Sequence, residues 1–339
     1  MSSHTEEIGR GPENIRPASE PSSQPSSQIA GKAVRVGDRV FRGLSALSGS
    51  LILVCMAAIA AFLLYRTVPA LQADTKSFLT TTSWFPDNSP SVFGVAALAW
   101  GTLLSSLIAL VLAVPVSIGI ALFIAHYAPR RIASGLGYLV DLLAAVPSVI
   151  YGLWGLAFLV PHMVGLSSWL DTYFGWIPIF SADGSAYKNT MFNTGVVLAV
   201  MILPIISAVS REVFLQVPRS HIEAALAIGA TRWEVMRLSV LPFGRSGVIS
   251  ASMLGLGRAL GETVAVALVL STSYDISGHV LEPGGNTFAA NIALQFGFAQ
   301  TVGINALIAS GMVLFVITLV VNMSARLIIA RRSEFSGAN

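Results

Sequence analysis

Six long apolar stretches alternate with polar connections along this chain of 339 residues. A helix needs roughly 20 mostly apolar residues to cross the ~30 Å hydrocarbon core of a bilayer. The pattern therefore predicts an all-α integral membrane protein with six transmembrane helices. The stretches lie at about 44–65, within 94–125, and at about 134–160, 191–210, 246–271 and 301–329.

The two ends of the chain lack this apolar pattern. Residues 1–43 are polar, and 17–28 are rich in Pro, Ser and Gln, a composition typical of disordered segments. The start of the chain is too polar for a signal peptide. We expect a disordered cytoplasmic tail over 1–43, a six-helix domain over 44–332 and a short C-terminal tail over 333–339.

One polar segment, 211–245, lies between two apolar stretches and carries signals for the starts of helices. Ser220 precedes Glu223 by three residues, and Thr231 precedes Glu234 at the same spacing, so each pair predicts a capping box. In that arrangement the hydroxyl accepts the backbone N–H of the glutamate, and the carboxylate accepts the N–H of the cap residue.

The same segment carries signals for the ends of helices. Gly229 predicts the end of the first helix because glycine readily adopts a left-handed backbone, and Pro242 predicts the end of the second. We expect two short helices at about 221–228 and 232–240, joined by a tight turn. An ordinary structured loop and a DNA-binding helix–turn–helix are the alternatives, and the enclosing apolar stretches argue against the second.

Composition narrows the class of protein. Hydrophobic residues make up 54% of the chain and charged residues 11%, whereas a soluble domain has roughly 25% charged residues. The net charge is only +3, which gives no reason to expect nucleic-acid binding. The single cysteine, Cys55, cannot form an internal disulfide, and the five histidines lie at no metal-ligand spacing, so we expect no metal site.

The distribution of basic residues predicts the orientation in the membrane. With the N-terminus inside, the 20 Lys and Arg residues divide into 16 on inner segments, three on outer segments and one within a span. The three outer residues are Arg66, Lys76 and Lys188, and the one within a span is Arg258. Because cytoplasmic segments carry the excess of Lys and Arg, both termini and the 211–245 segment are predicted to be cytoplasmic.

Three charged residues fall within the predicted spans: Asp141, Arg258 and Glu262. Each costs roughly 2.5–3.5 kcal/mol on insertion scales, which makes them functional candidates. Arg258 and Glu262 are four residues apart and can pair on one helical face. The pair either holds the bundle together or lies on a translocation path, where Arg258 would bind an oxyanion, and we favour the path. We interpret Asp141 as structural.

Two further patterns concern packing and the membrane surface. Gly257 and Gly261 have the G-x-x-x-G spacing, which predicts close helix packing, here at a subunit seam. The outer connection 161–190 is rich in aromatic residues, which serve either as an anchor at the membrane–water interface, the reading we favour, or as a docking surface for an extracytoplasmic binding protein. These residues are Trp169, Tyr173, Phe174, Trp176, Phe180 and Tyr187.

In the polar segment, Glu-Ala-Ala is followed after three residues by Gly and, further on, by Leu-Pro. The pattern resembles the EAA motif of ATP-binding-cassette (ABC) importer permeases, with Ser239 where that family often has isoleucine. This resemblance implies a type I ABC importer permease fold, in which the 211–245 loop docks into a groove on a cytoplasmic ATPase. The ATPase-coupling residues it implies are Glu223, Ala224, Ala225, Gly229, Leu241 and Pro242.

Two other stretches resemble signatures of phosphate-specific permeases: LLAAVPSVIYGLWG at 142–155 and GRALGET at 257–263. The likeness to the PstC family of permeases covers about 44–332. It implies inorganic phosphate as the substrate and a translocation path that includes Arg258, Glu262 and Thr263. It also implies a plasma-membrane (inner-membrane) complex with a PstA-type second permease, a PstB-type ATPase dimer and a PstS-type extracytoplasmic phosphate-binding protein.

The chain lacks the Gly-x-x-x-x-Gly-Lys-Ser/Thr pattern of a phosphate-cradling ATPase loop. We therefore expect no enzymatic activity of its own and no cofactor, with ATP bound by the partner ATPase. Three alternatives stay open. They are an ABC permease for another oxyanion such as sulfate or molybdate, an ion-coupled secondary transporter that uses the buried charges as a proton relay, and a membrane protein that senses phosphate without carrying it.

Overall fold

The computed structural model describes residues 36–182 and 186–333 of the chain. Most of the predicted N-terminal tail, up to residue 35, and the C-terminal tail from residue 334 lie outside the described residues. Helix α1, Val36–Ala73, begins before the first predicted span. The apolar run marks the part that can cross a bilayer, whereas the helix itself continues into its polar flank.

The chain divides within α1 into two compact units, Met1–Met56 and Ala57–Asn339. In the first unit the described residues form the beginning of α1, and their described side chains are exposed. The second unit contains the end of α1 and every other described element, and the following account concerns that unit.

Helices dominate the second unit. Beyond α1, the α-helices are α2 Ala96–Leu122, α3 Arg130–Ala144, α4 Ser148–Trp154, α5 Val160–Phe174, α6 Met191–Leu215, α7 Arg219–Ala227, α8 Arg232–Val235, α9 Leu241–Leu260, α10 Val264–Val269, α11 Phe288–Gln295 and α12 Thr301–Ser333. Three π-helical turns, Phe123–Tyr127, Gly155–Leu159 and Met236–Val240, extend or join these helices, and Pro178–Phe180 is a 3₁₀ turn. The strands β1 Trp84–Phe85 and β2 Val92–Phe93 pair antiparallel.

Among the described residues, five helical runs are long and apolar enough to cross a membrane. They are Arg39–Ala73, Ala96–Tyr127, Ser148–Phe174, Met191–Leu215 and Thr301–Leu327. Four of them coincide with predicted spans, while the predicted third and fifth spans differ from the structure. A count of six transmembrane helices therefore stays a prediction.

The predicted third span, 134–160, is interrupted between α3 and α4. Pro147 has no backbone N–H and disfavours helical backbone at the residue before it, so the helix ends at Ala144 and a new one begins at Ser148. From there the chain stays helical to Phe174. Much of the predicted outer connection 161–190 is therefore the end of this membrane-spanning run.

The predicted fifth span, 246–271, is also broken. Helix α9 ends at Leu260, and the six-residue α10 begins only at Val264. The residues between the two helices are Gly261 to Thr263. Glycine has a weak helix propensity, and the buried carboxylate of Glu262 accepts a hydrogen bond from the backbone N–H of Ala265. The break lies at the charged part of the GRALGET stretch.

The centre of the fold is formed by α2, α6 and α9, which all contribute buried side chains to one apolar cluster. Small residues bring the helices together: a Cβ atom at Gly195 would overlap Ile108, and one at Gly255 would lie 2.7 Å from Ile206 Cδ1. In addition, Ser117 Oγ donates to the Leu203 carbonyl at 3.0 Å and links α2 to α6. These three helices form the frame that holds the segments with candidate functional residues.

The β1–β2 hairpin is attached to the start of α12. Asp87, in the turn of this hairpin, accepts the backbone N–H groups of Gln300 at 2.9 Å and Gly303 at 2.8 Å. A helix leaves its first N–H groups without partners, so the carboxylate caps this helix from a distant part of the chain. Trp84 and Phe93 of the hairpin are buried in the apolar cluster that contains Leu307 of α12.

Candidate functional site

The two helices of the polar segment begin differently. Thr231 and Glu234 form the predicted capping box: Glu234 N donates to Thr231 Oγ1 at 3.3 Å, and Thr231 N donates to Glu234 Oε2 at 2.7 Å. The backbone hydrogen bond from Thr231 lowers the pKa of the Glu234 carboxyl. The predicted box at Ser220 is wrong, because α7 begins at Arg219, directly after Pro218, and Ser220 lies inside the helix.

The turn after α7 forms as predicted. Gly229 has a φ of +85°, a left-handed backbone that glycine adopts without a steric penalty. The prediction that Pro242 ends the second helix is wrong. Pro242 lies at the start of α9, and the π-turn Met236–Val240 just before it carries the helix past the proline without the hydrogen bond that the proline cannot donate.

The inner side of this helix pair is anchored in the protein. Ala225, Val235, Met236 and Val240 are buried in an apolar cluster with Phe214 at the end of α6. Ser239 Oγ also donates to the His221 carbonyl at 3.3 Å and ties the π-turn to α7. The loop is therefore a rigid part of the fold rather than a free connection.

The outer side of the pair is apolar and exposed. Ile228 is 82% exposed and Trp233 is 60% exposed, although both side chains are large and apolar. Between α7 and α9 lies an open groove of about 690 Å³, which we call the α7–α9 groove. Contiguous exposed apolar surface of this kind marks a site of protein association. The lining includes Ala224, Ala225, Ile228, Leu238, Pro242 and Phe243.

The predicted coupling residues gather around this groove. Ala224, Ala225 and Pro242 line it, while Glu223 and Gly229 are exposed. Leu241 is half-buried at the start of α9 and packs on the cluster under the loop. Their roles in coupling to an ATPase stay a prediction.

The predicted ion pair between Arg258 and Glu262 is not formed among the described residues. Arg258 lies in the last turn of α9, whereas Glu262 lies in the break that follows this helix, so the two residues do not share a helical face. Glu262 is only 7% exposed, and its Oε1 accepts the backbone N–H of Ala265 at 3.2 Å. Arg258 Nε is buried without a hydrogen-bond partner in the described structure. Among the described residues, no carboxylate lies within salt-bridge distance of Arg258.

Two other predicted residues lie at the same break. Thr263 Oγ1 donates to the Gly261 carbonyl at 3.2 Å, which closes the turn between α9 and α10. A Cβ at Gly257 would meet nothing within 4 Å, and one at Gly261 would meet only the Gly257 carbonyl oxygen, at 3.7 Å. The close packing of α9 within this chain involves other glycines of the helix, among them Gly255, so a role of Gly257 and Gly261 at a subunit seam stays a prediction.

Asp141 has a partner that the sequence analysis missed. Arg211 Nη2 lies 3.5 Å from Asp141 Oδ2 and 2.8 Å from Glu212 Oε1. The sequence pattern places Arg211 in the polar segment 211–245, but α6 continues past it to Leu215. Asp141 lies within the predicted third span and Arg211 just after the fourth, 70 residues further along the chain, so no local pattern predicts the contact. The structural interpretation of Asp141 fits this ion pair.

The aromatic residues near 161–190 divide into two groups. Trp169 and Tyr173 lie on α5, where their ring centroids are 5.5 Å apart, and both are exposed. Tyr187 instead donates its hydroxyl proton to Asp171 Oδ2 at 2.8 Å, and this hydrogen bond raises the pKa of Tyr187. The exposed rings suit an interfacial anchor, and the docking alternative stays open.

Comparison with known proteins gives matches over most of the chain. The family model described as "Binding-protein-dependent transport system inner membrane component" matches residues 117–334. "Phosphate transport system permease protein PstC 2" of Mycobacterium tuberculosis is 48% identical over 301 residues, which cover 88% of this chain and 93% of that protein. "Phosphate transport system permease protein PstC" of Xylella fastidiosa (strain Temecula1) is 40% identical over 303 residues, with coverage of 88% and 93%.

A solved structure shares the fold. It belongs to a bacterial ABC transporter involved in the import of the acidic polysaccharide alginate. The TM-score is 0.53 at 17% identity, over 86% of this chain and 99% of that chain. At this identity the likeness shows the fold alone, and it agrees with the predicted helical membrane architecture.

Proposed function

This chain belongs to the family of binding-protein-dependent transport system inner-membrane components, and we propose that it is the permease subunit that carries inorganic phosphate in an ABC importer. The observation that carries this proposal is the 48% identity to a relative named for phosphate transport. The resemblance to PstC-type permeases inferred from GRALGET and LLAAVPSVIYGLWG is confirmed by these relatives. The chain is thus a multi-pass membrane protein of an import system.

The transport path in this proposal passes the α9–α10 break. The Arg258 guanidinium has no carboxylate partner among the described residues, and its planar set of N–H donors matches the geometry of an oxyanion. Glu262 holds the start of α10 through Ala265 and keeps the break in place. Phosphate would contact Arg258 transiently as the surrounding helices open to either side, with Thr263 at the same turn.

One proposed partner is suggested by an exposed surface of the chain, and the other two by the resemblance to PstC-type permeases. The α7–α9 groove presents apolar side chains at the end of a rigid helix pair, which suits a protein partner. We assign this partner as a PstB-type ATPase, two copies of which would bind and hydrolyse ATP on the cytoplasmic side. A PstA-type permease would complete the membrane domain, and a PstS-type protein would deliver phosphate from outside.

The remaining parts of the proposal concern chemistry and orientation. The chain itself would hydrolyse nothing and hold no cofactor, and it would have no nucleic-acid partner. Both termini and the 211–245 loop would face the cytoplasm, as the excess of Lys and Arg on these segments indicates. The membrane lipid would contact the exposed apolar faces of the spanning helices.

The proposal is tested by uptake of labelled phosphate in cells that lack this gene and other phosphate carriers. The chain is restored as wild type, as Arg258→Ala, or as Arg326→Ala, which removes an exposed arginine far along α12. We expect wild type and Arg326→Ala to restore uptake that excess sulfate or molybdate does not block. Arg258→Ala should fail at normal membrane levels. No uptake by wild type in the presence of its partner subunits would exclude phosphate as the substrate.

A further inference from the structure

A second cavity lies apart from the α7–α9 groove and from the α9–α10 break. It opens between the start of α3, the end of α6 and the start of α7, has a volume of about 580 Å³, and shares no lining residue with the groove. We call it the arginine cavity, because three arginines and two carboxylates line it. These residues are Arg130, Asp141, Arg211, Glu212 and Arg219.

Arg211 is the fixed centre of this cavity. Its side chain is only 14% exposed, and its Nη2 contacts both Asp141 and Glu212. Gly137 of α3 provides the space for the guanidinium, since a Cβ at this position would overlap Arg211 Nη1. Both carboxylates lie against Arg211, and the three arginines and two carboxylates of the lining leave a net formal charge of +1.

Arg130 and Arg219 are those other two cations. Among the described residues, both ion pairs belong to Arg211, so neither Arg130 nor Arg219 has a carboxylate within salt-bridge distance. Each is the first residue of its helix, after a proline that offers no side-chain cap. The positive ends of α3 and α7 thus add to the two guanidinium charges, and the cavity as a whole favours an anion.

The rim of the cavity is apolar. Tyr138 and Leu215 line it and are 81% and 55% exposed. On α3, Ile132 and Leu139 are exposed as well, beside the membrane-spanning α6. A basic cavity between helices at the membrane surface, with apolar side chains next to it, is the setting in which proteins hold phospholipid head groups.

We propose that the arginine cavity binds a phosphate group through Arg130 and Arg219, with Arg211 as the positioned third cation. The group comes from an anionic phospholipid head group or from free inorganic phosphate. Both present the same tetrahedral, anionic oxygens to the guanidinium donors. This proposal does not depend on which solute the protein transports, and its test measures binding rather than uptake.

The test titrates the purified full complex in detergent with phosphatidylglycerol, with phosphatidylcholine and with inorganic phosphate, and follows the thermal unfolding midpoint. A ligand that binds the native state raises this midpoint. Three forms are compared: wild type, R130Q/R219Q, and the control R131Q/R326Q, which removes two exposed arginines outside the cavity. We expect R130Q/R219Q to require about tenfold more anionic ligand than the control, the equivalent of ~1.4 kcal/mol of binding.

The three ligands identify the source of the phosphate group. A response to phosphatidylglycerol but not to phosphatidylcholine assigns the lipid head group, and a response to inorganic phosphate alone assigns the free anion. An equal requirement in R130Q/R219Q and in R131Q/R326Q would overturn the proposal, because any basic surface would then give the same effect. No response of wild type to either anionic ligand would overturn it as well.

A second variant covers the case in which R130Q/R219Q does not assemble. Tyr138→Trp places an indole on the cavity wall at a highly exposed position while all three arginines remain. We expect this indole to be quenched more strongly by brominated phosphatidylglycerol than by brominated phosphatidylcholine, or its emission to shift on addition of inorganic phosphate. Equal quenching by the two lipids without an effect of phosphate contradicts the proposal.

Discussion

The carboxylate of Glu262 serves the protein backbone rather than the neighbouring arginine. Its Oε1 accepts the N–H of Ala265, which lies in the first turn of α10 and has no earlier turn to bond to. In a buried place such a donor must find a partner. Glu262 therefore fixes where α10 begins, and it leaves Arg258 without a carboxylate within salt-bridge distance in the described structure.

This role predicts different effects of two substitutions at the same position. Glu262→Ala leaves the buried N–H of Ala265 without an acceptor and should cost about 1–3 kcal/mol of stability. Glu262→Gln keeps an oxygen at the same place and should retain most of that stability. The measurement is the thermal unfolding midpoint of the purified complex, with Thr263→Ala as a control that loses only an exposed hydrogen bond. Equal midpoints for the Gln and Ala variants would contradict the assigned contact.

Local sequence spacing predicts the contacts of some residues but not of others. Thr231, Glu234 and Gly229 act within one turn of the chain, so their spacing alone predicts the capping box and the left-handed turn. Arg211 and Asp141 are 70 residues apart, and only the packing of α3 on α6 brings them together. Sequence spacing contains no information about such a pair.

At the level of elements, two prolines affect their helices differently from what the sequence pattern predicts. Pro147 separates two helices that hydropathy joins into one span, whereas Pro242 is passed by a π-turn and ends nothing. Both residues lack the same N–H. The difference lies in whether the preceding turn can widen to absorb the missing bond, which depends on the packing of Met236 and Val240 in the core. The apolar pattern predicts where helices cross, but not how each proline is accommodated.

The contact between the β1–β2 hairpin and the start of α12 should contribute measurably to the free energy of unfolding. Asp87 accepts two N–H groups at the start of a 33-residue helix. Asp87→Ala should lower stability by about 0.5–2 kcal/mol, the usual value of an N-cap, because both donors lose their acceptor. Chemical denaturation of the purified complex measures this loss. The control is Asn88→Ala in the same turn, and a loss as large as for Asp87→Ala would show that the turn, not the cap, is responsible.

On the scale of the whole molecule, one unbroken helical run joins the groove to the candidate transport residue. It passes through α8, the π-turn and α9, from Arg232 to Leu260, and contains Pro242 of the groove about a third of the way along and Arg258 near its far end. At ~1.5 Å per residue, this run spans roughly 40 Å. A displacement of the groove by a bound ATPase would therefore reach the α9–α10 break through a continuous helix, against the frame of α2 and α6.

With this arrangement, we expect binding of the ATPase subunit to depend strongly on Ile228. It is 82% exposed on the wall of the groove, so a tight partner would bury a large apolar side chain there. Ile228→Asp would place an unpaired charge in that interface, and we expect the ATPase subunit to bind at least about 30-fold more weakly, in line with a hot-spot loss of ~2 kcal/mol. Co-purification of the ATPase and phosphate uptake should fall together.

The matched control for this change is Gln216→Asp. Gln216 is also exposed, lies just after α6 and does not line the groove, so the same new charge should leave the association within about threefold of wild type. Normal association of Ile228→Asp would show that the groove is not the docking surface. Loss of the ATPase in both variants would show that charge near the loop, rather than burial of Ile228, controls the assembly. Loss in Ile228→Asp alone would connect the exposed apolar surface of this chain to the partner that drives it.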